Sequence, residues 1–239
     1  SESSVESVVG VIIGESHWSL FVNGVQVVTF MATSRNLHHL GLGFLASENL
    51  ISGLDDIASI RVNEAPDRAY WYIPALGVNE TRKMAVCEEG VGSIEVRLNH
   101  TEFRLPQHRV LTSGCGGGVT FDDLSQEQEP VHSTRTVRVA QIFAMMRELN
   151  LQAKLYRECR GVHTTVLTDG DQLLAIAEDV GRHNTLDKIR GDCLMRGIPT
   201  PDNILITTGR ISSEMITKAA KLRVPIVVSR TSPTHLAVQ

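Results

Sequence analysis

The sequence predicts an α/β protein in which a smaller β-rich unit precedes a three-layer sandwich built on a mixed sheet. Three observations predict it. Residues 18–98 hold short segments rich in valine and isoleucine, interrupted by one helical stretch. Residues 131–239 run in the order helix, strand, strand, helix, strand, helix, strand. Between them lies a segment that is glycine-rich at its start and closes on Pro130. The expected organisation is therefore a β-rich domain over 5–110 with one helix, a Gly/Cys-containing connector over 111–130, and an α/β (α+β) domain over 131–239.

In chain order, residues 18–30 carry alternating valines around Asn23-Gly24, a strong hairpin signal. Ser34 is placed to cap a helix over 35–50 whose apolar face is Leu37, Leu40, Phe44 and Leu45. His38 and His39 lie on that helix without ligand partners and read as surface or packing residues. Strands follow over 57–62, 69–73 and 94–98. In the second half a helix spans 136–150, its apolar face being Val139, Ile142, Phe143, Met146 and Leu149. Met145 and Met146 at this spacing read as core. Strands over 162–168 and 173–178 are joined by Asp169-Gly170, a second hairpin signal. A helix (182–196), a strand (203–207), a helix (212–221) and a strand (225–229) complete the order.

Composition excludes several classes. The chain has 239 residues and a net charge of −4, so it lacks the basic footprint of a nucleic-acid binder. No apolar run approaches the ~20 residues that span a bilayer, and the opening residues lack signal-peptide character. The four cysteines, Cys87, Cys115, Cys159 and Cys193, fit no disulfide or zinc spacing. The expectation is a cytoplasmic protein with reduced thiols, binding neither membrane nor nucleic acid.

The chemistry concentrates in three places. Cys115 stands in Gly114-Cys-Gly-Gly-Gly118, where no neighbouring side chain crowds the sulfur. A free loop cysteine is usually an incidental small hydrophobe; here a bulky partner could approach it. The other two places are strand-to-helix junctions, where ligands of open α/β sheets usually sit. Glu178 to Lys188 (EDVGRHNTLDK) offers Arg182 for an anion and His183 for a hydrogen bond or a proton. The structural alternative is an elaborate helix start, with Asp179 or Asn184 capping and Asp187 in an ion pair. The second junction, around Thr207 to Lys218, has Gly209 making room, Arg210 projecting, and Ser212 or Ser213 capping. His163 at the start of the hairpin lines the same expected pocket. Two adjacent junctions, each with an arginine, point to a phosphorylated ligand.

The element order of the second half is that of the cytidine-deaminase-like fold. Zinc deaminases place a His-x-Glu and a Pro-Cys-x-x-Cys at the two helix starts. Here those starts read Gly181-Arg182-His183 and Ile211-Ser212-Ser213, without cysteine. No three-ligand zinc site can be built there, and no metal is expected. A mobile thiol beside an anion pocket points instead to thiol-based group transfer, a persulfide being a reversible modification of cysteine.

The strings Glu178 to Lys188, Gly209-Arg-Ile-Ser-Ser-Glu-Met215 with Lys218, and Ser232-Pro-Thr-His-Leu-Ala-Val238 carry a resemblance. The chain resembles the FdhD family of formate dehydrogenase accessory sulfurtransferases over nearly its whole length. The resemblance implies a cytosolic homodimer with a cytidine-deaminase-like domain. It implies a sulfur carrier that takes sulfur from a cysteine desulfurase as a persulfide on Cys115. The sulfur then passes to the molybdenum bis-molybdopterin guanine dinucleotide cofactor used by formate dehydrogenase. That cofactor would be bound transiently, with a guanine nucleotide as its mimic; no cofactor is expected to be bound permanently. Cys115 is then the catalytic residue, and His163, Arg182, His183, Gly209, Arg210 and Ser212 contact the cofactor. Three features depart from the family pattern. Gly118 stands where many members have a second loop cysteine. Cys159-Arg160-Gly161-Val162-His163 replaces a Thr-Gly-Gly-x-His stretch, with Cys159 read as a packed residue at a strand start. The sequence stops at Gln239, where members typically continue. The alternative function is a chaperone that binds the cofactor without transferring sulfur.

Overall fold

The computed structural model describes residues 12–64, 68–73, 78–82, 92–106, 110–111, 119–121 and 129–239. The first half opens with strands β1 (Ser16–Val22) and β2 (Val25–Ala32), paired antiparallel. Their turn is Asn23-Gly24, with φ of 48° and 84°. Two consecutive left-handed residues are what a tight hairpin demands, and asparagine and glycine supply them at least cost. Helix α1 (Leu37–Ser47) follows, then β3 (Ile57–Glu64), β4 (Arg68–Ile73), β5 (Val78–Arg82) and β6 (Gly92–Leu98). These strands form one sheet in the order β2-β1-β6-β3-β4-β5, parallel only at β1/β6. The first half therefore carries a larger sheet than expected. β5, whose sequence VNETR lacks apolar alternation, is the strand that the pattern misses.

α1 begins two residues later than predicted. Its first turn follows Asn36 in a left-handed conformation with no side-chain cap, so Ser34 does not cap it. Residues 40–47 of α1 are all buried, as befits a helix apolar around most of its circumference. It is covered on two sides. Against the sheet, a Cβ on Gly41 would come within 2.8 Å of Ile94 Cγ2. On the other side it meets a helix of the second half.

Two short strands, β7 (Val110–Leu111) and β8 (Val119–Thr120), pair antiparallel around residues 112–118. The predicted site residue Cys115 lies outside the described residues, as do Cys87 and most of the expected connector.

The second half consists of α2 (Val139–Gln152), α3 (Lys154–Cys159), β9 (His163–Thr168), β10 (Leu173–Asp179), α4 (Arg182–Arg196), β11 (Ile204–Thr207), α5 (Ser213–Lys221), β12 (Ile226–Ser229) and a final turn, α6 (His235–Val238). The sheet order is β10-β9-β11-β12, with β9 antiparallel to both neighbours and β11/β12 parallel. Successive residues face opposite layers. Val166, Ile204 and Ile206 pack with Met145 and Leu149 of α2. Leu167 and Leu205 pack with Leu186 and Ile189 of α4 and Met215 and Ala219 of α5. This is the predicted three-layer sandwich on a mixed sheet.

Two local readings change. The buried face of α2 is Met145 and Leu149, whereas Val139 and Phe143 are exposed. α3 was not anticipated, and Cys159 ends that helix rather than starting a strand, its thiol donating to Leu155 O at 3.1 Å.

Candidate functional site

The register sets the site. His163 of β9 pairs with Asp179 of β10, Thr165 with Thr207 of β11, and Thr207 with Ser229 of β12. The start of β9 and the ends of β10, β11 and β12 therefore share one edge of the sheet, and α4 and α5 begin there. Ligands of open α/β sheets bind at such carboxyl ends.

Asp179, fully buried, organises this edge. Its Oδ2 accepts from Lys188 Nζ at 2.5 Å, Thr33 Oγ1 at 2.9 Å and Thr33 N at 3.2 Å. Its Oδ1 accepts from Gly181 N and Asn184 Nδ2, each at 2.8 Å. Asn184 also donates to Met31 O at 2.9 Å. One carboxylate thus ties the start of α4 to the end of β2 in the other half of the chain. Neither Thr33 nor Lys188 was assigned a role from sequence, because Thr33 is distant along the chain and a buried lysine is rare unless paired.

Arg182 opens α4. It is only 6% exposed, and its Nε, sealed from solvent, has no hydrogen-bond partner. A buried charged donor without an acceptor is costly. Beside it lie Gly209 and His163: a Cβ on Gly209 would stand 3.1 Å from Arg182 Cβ and 3.2 Å from His163 Nδ1. A side chain here would crowd both residues. Its own backbone is fixed by Gly209 N donating to Thr207 Oγ1 at 3.2 Å and Ser229 Oγ donating to Gly209 O at 2.6 Å. Burial and the nearby guanidinium groups of Arg182 and Arg210 lower the His163 pKa, Asp179 opposing them in part. Arg210 is exposed on the rim.

His183 and Ser212 meet, but between helices. His183 Nε2 lies 3.2 Å from Ser212 Oγ and 3.2 Å from Glu214 Oε2. Burial, reinforced by Arg182 and Lys218, lowers the His183 pKa to about 3. The imidazole is neutral, and its contact with Glu214 is a hydrogen bond rather than an ion pair. It does not titrate near neutral pH, so a proton-shuttle role does not suit it. Ser212 caps α5, its Oγ accepting from Met215 N at 3.4 Å. Further along, Lys218 Nζ donates to both Asp187 oxygens at 2.7 and 2.6 Å, the ion pair expected of Asp187. His183, Ser212, Asp187 and Lys218 thus fasten α5 to α4.

Glu178, at the head of the same string, caps α3 instead: its carboxylate accepts from Leu155 N at 2.9 Å and Tyr156 N at 2.8 Å. Beyond α3, Arg160 has φ 57° and ψ −157°, a region essentially reserved for glycine that costs a side chain about 1–3 kcal/mol. Arg160 and Arg230 both lie over the ring of Tyr156, at 5.1 and 5.9 Å from its centroid. Nothing local in the sequence marks Tyr156 as the meeting point of these two arginines.

The ladder that brackets residues 112–118 is anchored at its base. Glu48, at the end of α1, accepts from Thr120 Oγ1 and Phe121 N, each at 2.8 Å. Burial raises its pKa, opposed by Lys218 and these hydrogen bonds.

The fold and site together define a class: a cytidine-deaminase-like sandwich whose two helix starts present arginine, histidine and serine where deaminases carry zinc ligands. Comparison with known proteins narrows this. The model of the FdhD/NarQ family matches residues 13–239, and the chain belongs to that family. It is 32% identical over 224 residues to the sulfur carrier protein FdhD of Bacillus licheniformis, covering 92% of this chain and 76% of that one. With the sulfur carrier protein FdhD of Bacillus subtilis the identity is 33% over 239 residues, covering 95% and 79%. A crystal structure from Desulfotalea psychrophila, described as a formate dehydrogenase accessory protein, superposes with a TM-score of 0.65 at 25% identity. That match covers 95% of this chain and 78% of the other.

Proposed function

We propose that this chain is a sulfur carrier serving formate dehydrogenase. Cys115 receives sulfur from a cysteine desulfurase and delivers it to the molybdenum bis-molybdopterin guanine dinucleotide cofactor, held at the sheet edge as cargo. One observation carries the reading: Arg182 is buried with an unpartnered Nε beside His163 and Gly209, in a chain whose relatives are named sulfur carriers. The phosphates of a dinucleotide supply the acceptor that Arg182 lacks, with Arg210 and the free N–H groups of the α4 start as further donors. His163 lines the same space. His183 and Ser212 act one step removed, by holding α5 against α4.

In the loading step the Cys115 thiolate attacks the outer sulfur of the desulfurase persulfide. The desulfurase cysteine leaves as its thiolate, and Cys115 becomes the persulfide. No oxidant is needed, because one S–S bond forms as another breaks.

Incubation with a cysteine desulfurase and cysteine should add one sulfur atom to the peptide containing Cys115, seen by mass spectrometry under non-reducing conditions. Loading at Cys159 with Cys115 untouched would overturn the assignment. Gly118 in place of a second loop cysteine favours one other reading, a chaperone that binds the cofactor without transferring sulfur. Full formate dehydrogenase activity supported by Cys115→Ala would establish it.

The partners are then a desulfurase, formate dehydrogenase and a second copy of the chain, for which the exposed Val139, Phe143 and Leu151 of α2 offer apolar surface. No helix among the described residues is long and apolar enough to cross a membrane, in keeping with the proposed cytoplasmic location.

A further inference from the structure

α4 and α5 finish at the end of the second sheet opposite the candidate site. There the two helix ends and the loop from α4 to β11 enclose a cavity of about 340 Å³. Cys193, Leu194, Ile198 and Leu222 give it apolar walls, and Arg190 and Lys221 add two cationic side chains. Among the described residues, no acidic side chain lines it. A cavity of this size, apolar with a few polar groups converging on it, has the make-up of a small-molecule site.

Helix C-termini leave carbonyls and a partial negative charge that would favour a cationic guest. Here those carbonyls are already engaged. Gly197, with φ 64°, closes α4: its N–H donates to Leu194 O at 3.3 Å, and Ile198 N donates to Cys193 O at 2.9 Å. At the end of α5, Leu222 N donates to Lys218 O and Val224 N to Ala219 O, while Thr200 Oγ1 donates to Leu222 O at 2.8 Å. Burial pushes the Cys193 thiol up to about 12, so it serves as apolar wall and not as a nucleophile. Recognition in the cavity therefore falls to Arg190 and Lys221.

Arg190 lacks an acceptor. Its Nη1 is sealed from solvent and has no hydrogen-bond partner among the described residues. The two carboxylates that attract it are engaged elsewhere. Asp187 accepts from Lys218 with both oxygens, and Glu48 accepts from Thr120 Oγ1 and Phe121 N. Burial outweighs their pull and holds the Arg190 pKa below the ordinary arginine value. Lys221 Nζ donates to Ser47 O, which steadies the second cation against the end of α1.

We propose that this cavity is a second ligand site, taking an amphiphilic monocarboxylate with its head on Arg190 and Lys221 and its aliphatic chain along Leu194, Ile198 and Leu222. At about 30 Å³ for each water-sized unit, the space holds about ten non-hydrogen atoms, the size of a carboxylate of about eight carbons. The site shares no residue with the sheet edge, and it stands whether or not that edge holds an anion.

Ligand-observed NMR titration of the full chain with octanoate, 1-octanol and octylammonium, at fixed ionic strength, tests the site. Octanoate should bind with a Kd of about 1 mM or tighter. It should bind at least about tenfold more tightly than the alcohol or the amine, because only the carboxylate makes charge-assisted contacts. R190Q should weaken octanoate about tenfold and K221Q about threefold, with octanol unchanged within about twofold. I198W, which fills the cavity, should abolish octanoate binding, and R182Q at the sheet edge should leave it as in the parent. Thermal melts of each variant separate lost binding from lost folding. If R190Q does not fold, the comparison of the three probes and the K221Q titration decide the matter. No octanoate binding up to about 10 mM overturns the site. So does octanol or octylammonium binding as tightly as octanoate, or octanoate binding unchanged in R190Q and K221Q. A loss in R182Q as large as that in R190Q would place the carboxylate at the sheet edge and also overturn it.

Discussion

Asp179 shows how much one side chain can hold. It is fully buried, and its five donors come from Thr33, Gly181, Asn184 and Lys188. Asp179→Asn keeps the shape and part of the hydrogen bonding but leaves the Lys188 ammonium buried without a counter-charge. Removing one partner of a buried pair costs about 3–5 kcal/mol. The urea midpoint should fall accordingly, and because Asp179 also fixes the start of α4, anion affinity at Arg182 should fall with it. An unfolding free energy within about 1 kcal/mol of the parent would show that Lys188 finds another partner.

At the scale of elements, α1 and α4 meet backbone against backbone. A Cβ on Gly43 would lie 1.7 Å from Asp187 O, and one on Gly191 would lie 2.0 Å from His39 O. Both obstacles are backbone, so neither can swing aside. Gly191→Ala should cost about 3 kcal/mol or more, the upper end for overpacking. Gly53→Ala, where no atom lies within 4 Å, should be near neutral. Thermal denaturation of the two variants checks the contrast. The elements themselves were mostly legible. Asn23-Gly24 and Asp169-Gly170 marked their turns, and the apolar periods of α1, α4 and α5 were plain. In α2, Met145, Met146 and Leu149 pack as expected, whereas Val139 and Phe143, read onto the same face, are exposed. α3 escaped because it is short and its cap, Glu178, lies 23 residues from the N–H of Leu155 that it binds. For the candidate site, the junction strings disclosed Arg182, Gly209 and Arg210. They could not disclose that His183 turns away toward Glu214, nor that Tyr156 gathers two arginines, Arg160 and Arg230, that lie far apart in the chain. Those facts depend on which strands are neighbours, and that is decided by tertiary packing.

For the whole molecule the clearest expectation concerns acid. Burial lowers the pKa of His38 and His183 to about 3 and that of His39 to about 4. A second histidine beside His38, Lys188 beside His39, and Arg182 beside His183 reinforce it. An unfolded chain protonates these rings near pH 6.5, whereas the native fold resists. Below that value the unfolded state binds more protons, so stability declines as pH falls. The contribution is fully present above about pH 6.5 and drains away toward pH 4. Melting temperature should drop steadily between pH 7 and pH 4.5, and His183→Gln should flatten part of that slope. A melting temperature unchanged from pH 7 to pH 5 would contradict it.

The glycine contact between α1 and α4 also bears on motion. Two helices touching backbone to backbone interlock like gear teeth, and the Asp179 cluster bolts the adjoining chain ends together. A hinge needs a seam that can part, and this seam has no slack. The two sheets should therefore tumble as one rigid body, with no clamshell closing over cargo. On the proposed function, sulfur delivery to the sheet edge then requires no movement of one sheet against the other.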